Sequence, residues 1–422
     1  NKEAGMYYLQ AVTGFIAFLL LAWLFSENRR KLEWRVIIPG VIAQFVIAAA
    51  LLHTDIFIPV FQGINAFVTS VATATDAGTE FVFGFLAGGQ KPFKVTEQDA
   101  MQIFAIDILP IVFVMGALSA LLWHWRILPM IIRGLAWALR RCMGVSGVVG
   151  FSACANIFIS MTETPLFIRY YVPVISRSKL FSIMSVGLAT IAGVLFVPFA
   201  AILDGVIQRP ITHLLTASII SIPAALVLAR IMIPEDAATY QQDSDKIDPG
   251  SEFANAVDAV VSGAIRSTPL FLNVIVMLIV FIAFVDLIDQ ILTGVPAIGG
   301  DPVTLKRIFG WLFATLVYAM GIPWNEAAQA GTLMGIKTAL NEFIAFIELS
   351  KLEAEALSER SRIIMTYALC GFANFASVGI MTGAFIAIAP ERQREIQILA
   401  FKSLITGTLA TLMTGCVVGI IY

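Results

Sequence analysis

Uninterrupted apolar runs of about 20 residues recur along this chain, the length that carries a helix across the hydrocarbon core of a bilayer. Inside lipid every backbone N–H and C=O must find a partner within the protein, so spanning segments are helices or closed barrels. Barrel strands read as ~10-residue segments of alternating polarity, whereas the runs here are long and continuous. Eight spans are expected, at 6–25, 37–53, 103–123, 181–203, 212–233, 268–291, 362–386 and 399–421. Composition agrees. Of 422 residues 59% are hydrophobic and 13% charged, against about 25% charged in soluble domains. The fold class is therefore an all-α integral membrane protein. The run over 6–24 lacks a small-residue cleavage site and reads as a span, not a signal peptide. A start at Asn1 without Met reads as trimmed.

The remaining composition excludes more than it suggests. A net charge of -2 gives no basis for a nucleic-acid partner. Cys142, Cys154, Cys370 and Cys416 have neither metal nor redox spacing and read as small apolar packing residues. His53, His124 and His213 are too scattered to suggest a metal site. No catalytic triad or phosphate loop is present, so neither an enzyme nor an organic cofactor is expected.

Between the spans lie segments of another kind. Residues 126–142 are amphipathic and basic, with Arg126, Arg133 and Arg140 seven apart on one helical face, as in a helix lying in the interface. Residues 302–319 and 57–75 read the same way. Residues 147–177 and 325–358 are apolar but polar at their centres, with Asn156, Ser160, Thr162 and Glu163 in one and Lys337, Asn341 and Glu342 in the other. Each is expected to form a re-entrant hairpin with the polar residues at its tip. The order span, surface helix, hairpin, span, span then occurs twice, from about 103 to 233 and from about 268 to 421. Three spans in the first copy make the second enter the membrane in the opposite sense. Inverted repeats with a site near the midplane are typical of secondary transporters. The basic loop 26–35 is expected inside, and the polar stretch 234–252 is expected to be a mobile cytoplasmic linker. Lys351, Arg360 and Arg362, at the base of the second hairpin, run against this orientation.

Ionisable groups at membrane depth are costly and mark function. Glu163 and Glu342 occupy matching hairpin tips. Each hairpin precedes a span with a small, polar break, 185–193 in the first copy and 370–379 in the second. Such breaks free backbone carbonyls for ligands and ions. Carboxylates and the Asn374 amide suit a neutral, hydroxyl-rich solute, and Phe372 offers a flat face to a ring. A small hard cation prefers oxygen ligands, which Asn156, Thr190 and loosened backbone supply.

The segments NIFISMTETPLFIRYYVP (156–173), LNEFIAF (340–346), ALCGFANFASVGI (368–380) and APERQREI (389–396) resemble the concentrative nucleoside transporters, and the similarity runs over nearly the whole chain. It implies a bacterial inner-membrane homotrimer that imports nucleosides with an ion by an elevator motion. A scaffold would comprise 1–145 and 234–323, and a transport part 146–233 and 324–422. The resemblance places Met161, Thr162, Glu163, Leu195, Glu342, Phe372, Asn374 and Ser377 around the nucleoside, with Glu342, Asn374 and Ser377 on the ribose. It assigns sodium to Asn156, Thr190 and the backbone oxygens of Ile159 and Ile191. The usual Gly-Gln-Thr-Glu tip reads Ser160-Met161-Thr162-Glu163 here. A Met cannot hydrogen-bond a base edge but adapts to a larger ring, so purine nucleosides or a broad range are expected. Proton coupling, and a nucleobase or modified nucleoside as solute, are the alternatives on the same scaffold.

Overall fold

The computed structural model describes residues 2–54, 57–96, 103–235, 253–298, 300 and 302–422. Every regular element among them is a helix. Helices α1 (Lys2–Leu24) and α2 (Trp34–His53) are joined by a polar loop, and α3 (Ile58–Phe83) follows. A first series then runs through short α4 (Phe104–Asp107), α5 (Ile111–His124), amphipathic α6 (Ile127–Met143), a hairpin of α7 (Gly147–Ala155) and one-turn α8 (Thr164–Phe167), the broken pair α9 (Arg177–Ala189) and α10 (Phe196–Ile202), and α11 (Pro210–Met232). The second series repeats it with α12 (Ala256–Leu292), α13 (Leu305–Ala319), a hairpin of α14 (Trp324–Ala339) and α15 (Glu342–Lys351), the broken pair α16 (Glu359–Leu369) and α17 (Phe375–Ile388), and α18 (Gln393–Ile421).

Seven of the eight expected spans coincide with helices, or a broken helix pair, long and apolar enough to cross a membrane. The eighth, over 362–386, is the pair α16 and α17. Helices α13 and α14 meet at 115°, the geometry of a surface helix turning into a hairpin arm. Several boundaries differ from the sequence reading. Helix α12 begins at Ala256, well before 268, because Asn255 Oδ1 caps it by accepting from Asp258 N at 2.9 Å. Hydropathy cannot register that polar start. Helix α3 likewise extends past 75 to Phe83. Beyond Glu235, the linker expected over 234–252 lies outside the described residues. Cys142 is exposed, so the packing role holds only for Cys154, Cys370 and Cys416, which are buried.

Helices α11 and α18 form the centre. Of the span window in α11 89% is buried, against 6% in α12. Ser221 Oγ meets Thr414 Oγ1 at 3.2 Å where α11 and α18 touch, at matching places of the two series. Helix α9 packs on both, α1 packs on α18, and α2 packs on α11. Helix α5 pairs with α12 through small residues, which let membrane helices approach closely. A Cβ on Gly263 would lie 2.5 Å from the Gly116 carbonyl oxygen and 2.6 Å from Ala120 Cβ. The rest of α12 exposes Leu272, Val276, Ile279, Ile282 and Phe284, a surface for lipid or another subunit.

One end of the bundle is tied by charge. Glu27, in the α1–α2 loop, accepts from Arg177 at 2.9 Å and Lys402 at 2.6 Å. Arg392 bonds Glu395 at 2.8 Å and donates to the Val172 and Ile175 carbonyls at 2.6 and 2.9 Å, closing the base of the first hairpin. Burial works to raise the Glu27 carboxyl, but the hydrogen bonds and charges of Arg177 and Lys402 outweigh it and hold the group below the usual carboxylate value.

Two outcomes follow. Gly263→Leu should lower the melting temperature of purified protein by overpacking worth about 1–3 kcal/mol, whereas Gly134→Ala, with nothing within 4 Å, should leave it unchanged or raise it. Because the Glu27 pKa is depressed, its contribution is full above the ordinary carboxylate value and is lost as pH falls through the lowered one. Glu27→Gln should therefore cost no more than ~1 kcal/mol at neutral pH, given the pair's partial exposure. The difference from wild type should vanish in acid melts; a gap that widens there would refute the assignment.

Candidate solute and ion site

The two hairpin tips and the two breaks converge on one buried region. In the second copy, α14 ends at Ala339 and Asn341 starts α15 as an N-cap, its Oδ1 accepting from Ile344 N at 2.9 Å. Glu342 is thus the first residue of α15, where unpaired N–H groups and the helix dipole favour an anion. It is 4% exposed. Across the break, Asn374 caps α17 through Oδ1, which accepts from Ser377 N at 2.8 Å, and its Nδ2 donates to Glu342 Oε2 at 2.9 Å. One amide therefore fixes the start of a helix and orients a carboxylate. Asn374 is fully buried, and both halves of its amide are used, as a buried polar group requires. The arrangement offers a carboxylate oxygen and the Ser377 hydroxyl, a fitting pair for vicinal hydroxyls. Phe372, buried in the same break, supplies an apolar ring.

In the first copy Asn156 ends α7, and its Oδ1 accepts from Thr164 Oγ1 at 2.9 Å. Ser160 Oγ lies 3.0 Å from Thr162 Oγ1, and Ser160 N donates to Glu163 Oε2 at 3.4 Å, so the tip folds on itself. Met161 is buried against α9, with its Cβ 3.3 Å from where a Gly187 methyl would stand. Thr190 ends α9 in extended backbone, and its Oγ1 donates to the Val186 carbonyl at 2.9 Å. With those protons committed, the Thr190 and Asn156 oxygens keep lone pairs, and an oxygen donor set of this kind fits a hard cation. Ile159 and Ile191 are buried beside them.

The breaks touch each other. Phe372 N donates to the Thr190 carbonyl at 3.4 Å. A Cβ on Gly371 would sit 2.8 Å from the Ala189 carbonyl oxygen and 2.7 Å from Thr411 Cγ2. Only glycine permits this approach.

The structure thus joins Glu342, Asn374 and Ser377 directly, and Thr190 to Phe372. Leu195 is buried in the turn Gly193–Leu195 and contributes only apolar surface. The breaks are shorter than expected. Helix α9 persists to Ala189, so Ser185 and Gly187 are helical, and the interruption is 190–192 before that turn. Helix α17 begins at Phe375, which makes Ser377 and Gly379 helical too. Glycine and serine are common within membrane helices, so their presence does not locate a break. Thr164, Ser218 and Thr411 were not singled out from sequence. In the sequence Lys337 is one polar residue of its hairpin among others, but in the fold its Nζ donates to Ala368 O at 2.8 Å and Thr411 Oγ1 at 2.9 Å.

Comparison with known proteins bears on the same residues. Residues 213–419 match the model described as Na+ dependent nucleoside transporter C-terminus, 13–86 its N-terminal counterpart, and 105–205 a model named Gate, nucleoside recognition. Uncharacterized transporter YutK of Bacillus subtilis is 34% identical over 98% of this chain and 99% of its own. Nucleoside permease NupC of Helicobacter pylori is 33% identical over 98% of this chain and 97% of its own. The structure of CNTnw in an inward-facing substrate-bound state superposes with a TM-score of 0.88 at 29% identity, covering 98% of both chains.

The double use of Asn374 can be separated. Asn374→Ser keeps an N-cap oxygen but is too short to reach Glu342, whereas Asn374→Ala loses both bonds. The cap is worth ~1 kcal/mol and the stranded carboxylate partner about 1–3 kcal/mol. Thermal melts should rank wild type above Ser above Ala; equal values for Ser and Ala would remove the capping role.

Proposed function

Since the chain belongs to the concentrative nucleoside transporter family, whose members are transporters and not enzymes, and is itself a multi-pass inner-membrane protein, we propose that it imports nucleosides together with sodium. The observation that carries the coupling is the Phe372–Thr190 hydrogen bond between the breaks. In this reading Thr190 and Asn156, with the Ile159 and Ile191 carbonyls, hold sodium. Phe372, Glu342, Asn374 and Ser377 hold the sugar end of the nucleoside. Met161, Thr162, Glu163 and Leu195 then face the base. Ordering the first break around a cation sets the Thr190 carbonyl, and that carbonyl fixes the backbone of Phe372. Ion and solute therefore stabilise one geometry, which is the meaning of a coupling free energy.

Because Met161 replaces the usual Gln at the base end, purine nucleosides or a broad range are the proposed cargo. The fixed part is proposed to be a scaffold of 1–145 and 234–323, centred on the α5–α12 pair, and the moving part 146–233 with 324–422, in an elevator motion. The outward apolar face of α12 supports a homotrimer in lipid. Motion of this kind must release or carry along the contacts of α1 with α18 and of α2 with α11.

Uptake of labelled uridine and adenosine into proteoliposomes tests the reading. An inward sodium gradient should drive accumulation of both or of adenosine preferentially, and Asn156→Ala or Thr190→Ala should abolish the sodium dependence. Met161→Gln should shift the ratio towards uridine. Accumulation of neither nucleoside under a sodium gradient would end the proposal, and accumulation under a proton gradient alone would replace sodium with protons.

A further inference from the structure

Lys337 has no part in the reading above, yet it is fully buried in the last turn of α14. Burying an ammonium is costly unless its charge and protons are used. Its acceptors are the Ala368 carbonyl oxygen and Thr411 Oγ1, both uncharged. In a continuous helix the Ala368 carbonyl would accept from the N–H four residues on, that of Phe372. At the break that N–H turns to Thr190 instead. The lysine therefore takes over a carbonyl that the break releases, at the negative end of α16. Beyond the same hairpin tip, five residues on, Glu342 stands at the positive end of α15.

The first break is built alike but lacks a lysine. There Ile191 N turns to Ser218 Oγ at 3.4 Å, which releases the Gly187 carbonyl. Ser218 and Thr411 occupy matching places, each three residues before the touching pair Ser221 and Thr414. At the first break the oxygens of Asn156 and Thr190 are left for a mobile cation. At the second, a cation is already present on a four-carbon stem.

We propose that Lys337 is a tethered counter-cation. It supplies at the second break a fixed positive charge where the first break, in the reading above, takes a mobile one, offsets the Glu342 carboxylate, and so spares the transporter a second mobile ion. The proposal rests on the sodium-coupled nucleoside reading. It makes Lys337 a positioning residue that sets ion stoichiometry, and this separates it from a structural cap, which would alter stability alone.

The test is nucleoside binding to purified protein by calorimetry, with sodium varied against choline at constant ionic strength. In the wild type the logarithm of affinity should rise with the logarithm of sodium concentration at a slope of one. Lys337→Met keeps the bulk of the stem and removes the charge. Its affinity at low sodium should fall by ~10-fold or more, as expected when a buried charge loses its partner. Its slope should rise towards two, and high sodium should restore binding. A folded variant whose slope stays at one, or whose binding no sodium concentration restores, overturns the proposal. If the variant does not fold, counting labelled sodium and nucleoside carried by the wild type decides: one sodium per nucleoside supports it, two overturns it. A wild type that binds no nucleoside would instead defeat the functional reading beneath it.

Discussion

The contact on which the rest depends is the crossing of two interrupted helices, where Phe372 N donates to the Thr190 carbonyl and Gly371 lies against Ala189. A helix broken inside a membrane leaves orphan N–H and C=O groups that water cannot satisfy. Here each break settles part of that demand on the other, and on Ser218 and Lys337 around them. What is left over is chemistry. The break after Thr190 leaves oxygen lone pairs, and the breaks before Glu342 and before Asn374 leave helix N-termini that favour a carboxylate and orient an amide. The proposed solute and ion site is what this incomplete mutual satisfaction leaves over.

That constraint explains the division of labour between helices. The central α11 and α18 are buried almost throughout and meet through Ser221 and Thr414, giving the breaks a rigid floor. The α5–α12 pair packs backbone against backbone at Gly116 and Gly263 while most of α12 faces outward. Hairpin tips are held by polar caps, Asn341 and Asn374 in one copy and the Asn156–Thr164 bond in the other. These bonds are short-range and can be kept intact if a hairpin moves as a body, which suits alternating access by rigid elements.

Much of this was legible in the sequence, for identifiable reasons. Apolar run length fixed the spans because the bilayer thickness does. Glu163, Glu342 and Asn374 stood out because charge and amides at membrane depth are expensive. Met161 stood out only against a family pattern. The limits of the breaks were not legible: Ser185, Ser377 and Gly379 lie in helices that their types would have allowed to end. The partners of Lys337 lie 31 and 74 residues away, and Thr164 reaches Asn156 across a folded tip. No periodicity reports contacts of that kind. Helix α12 outran its apolar segment because a polar cap, not hydropathy, sets where it starts.

The central claim is that the crossing makes ion and solute share one geometry. Reciprocal linkage measures it most directly: nucleoside affinity with and without saturating sodium, and sodium affinity with and without saturating nucleoside, on the same purified protein. The account predicts that each ligand tightens the other by the same factor. Affinities that are independent of the other ligand would contradict it.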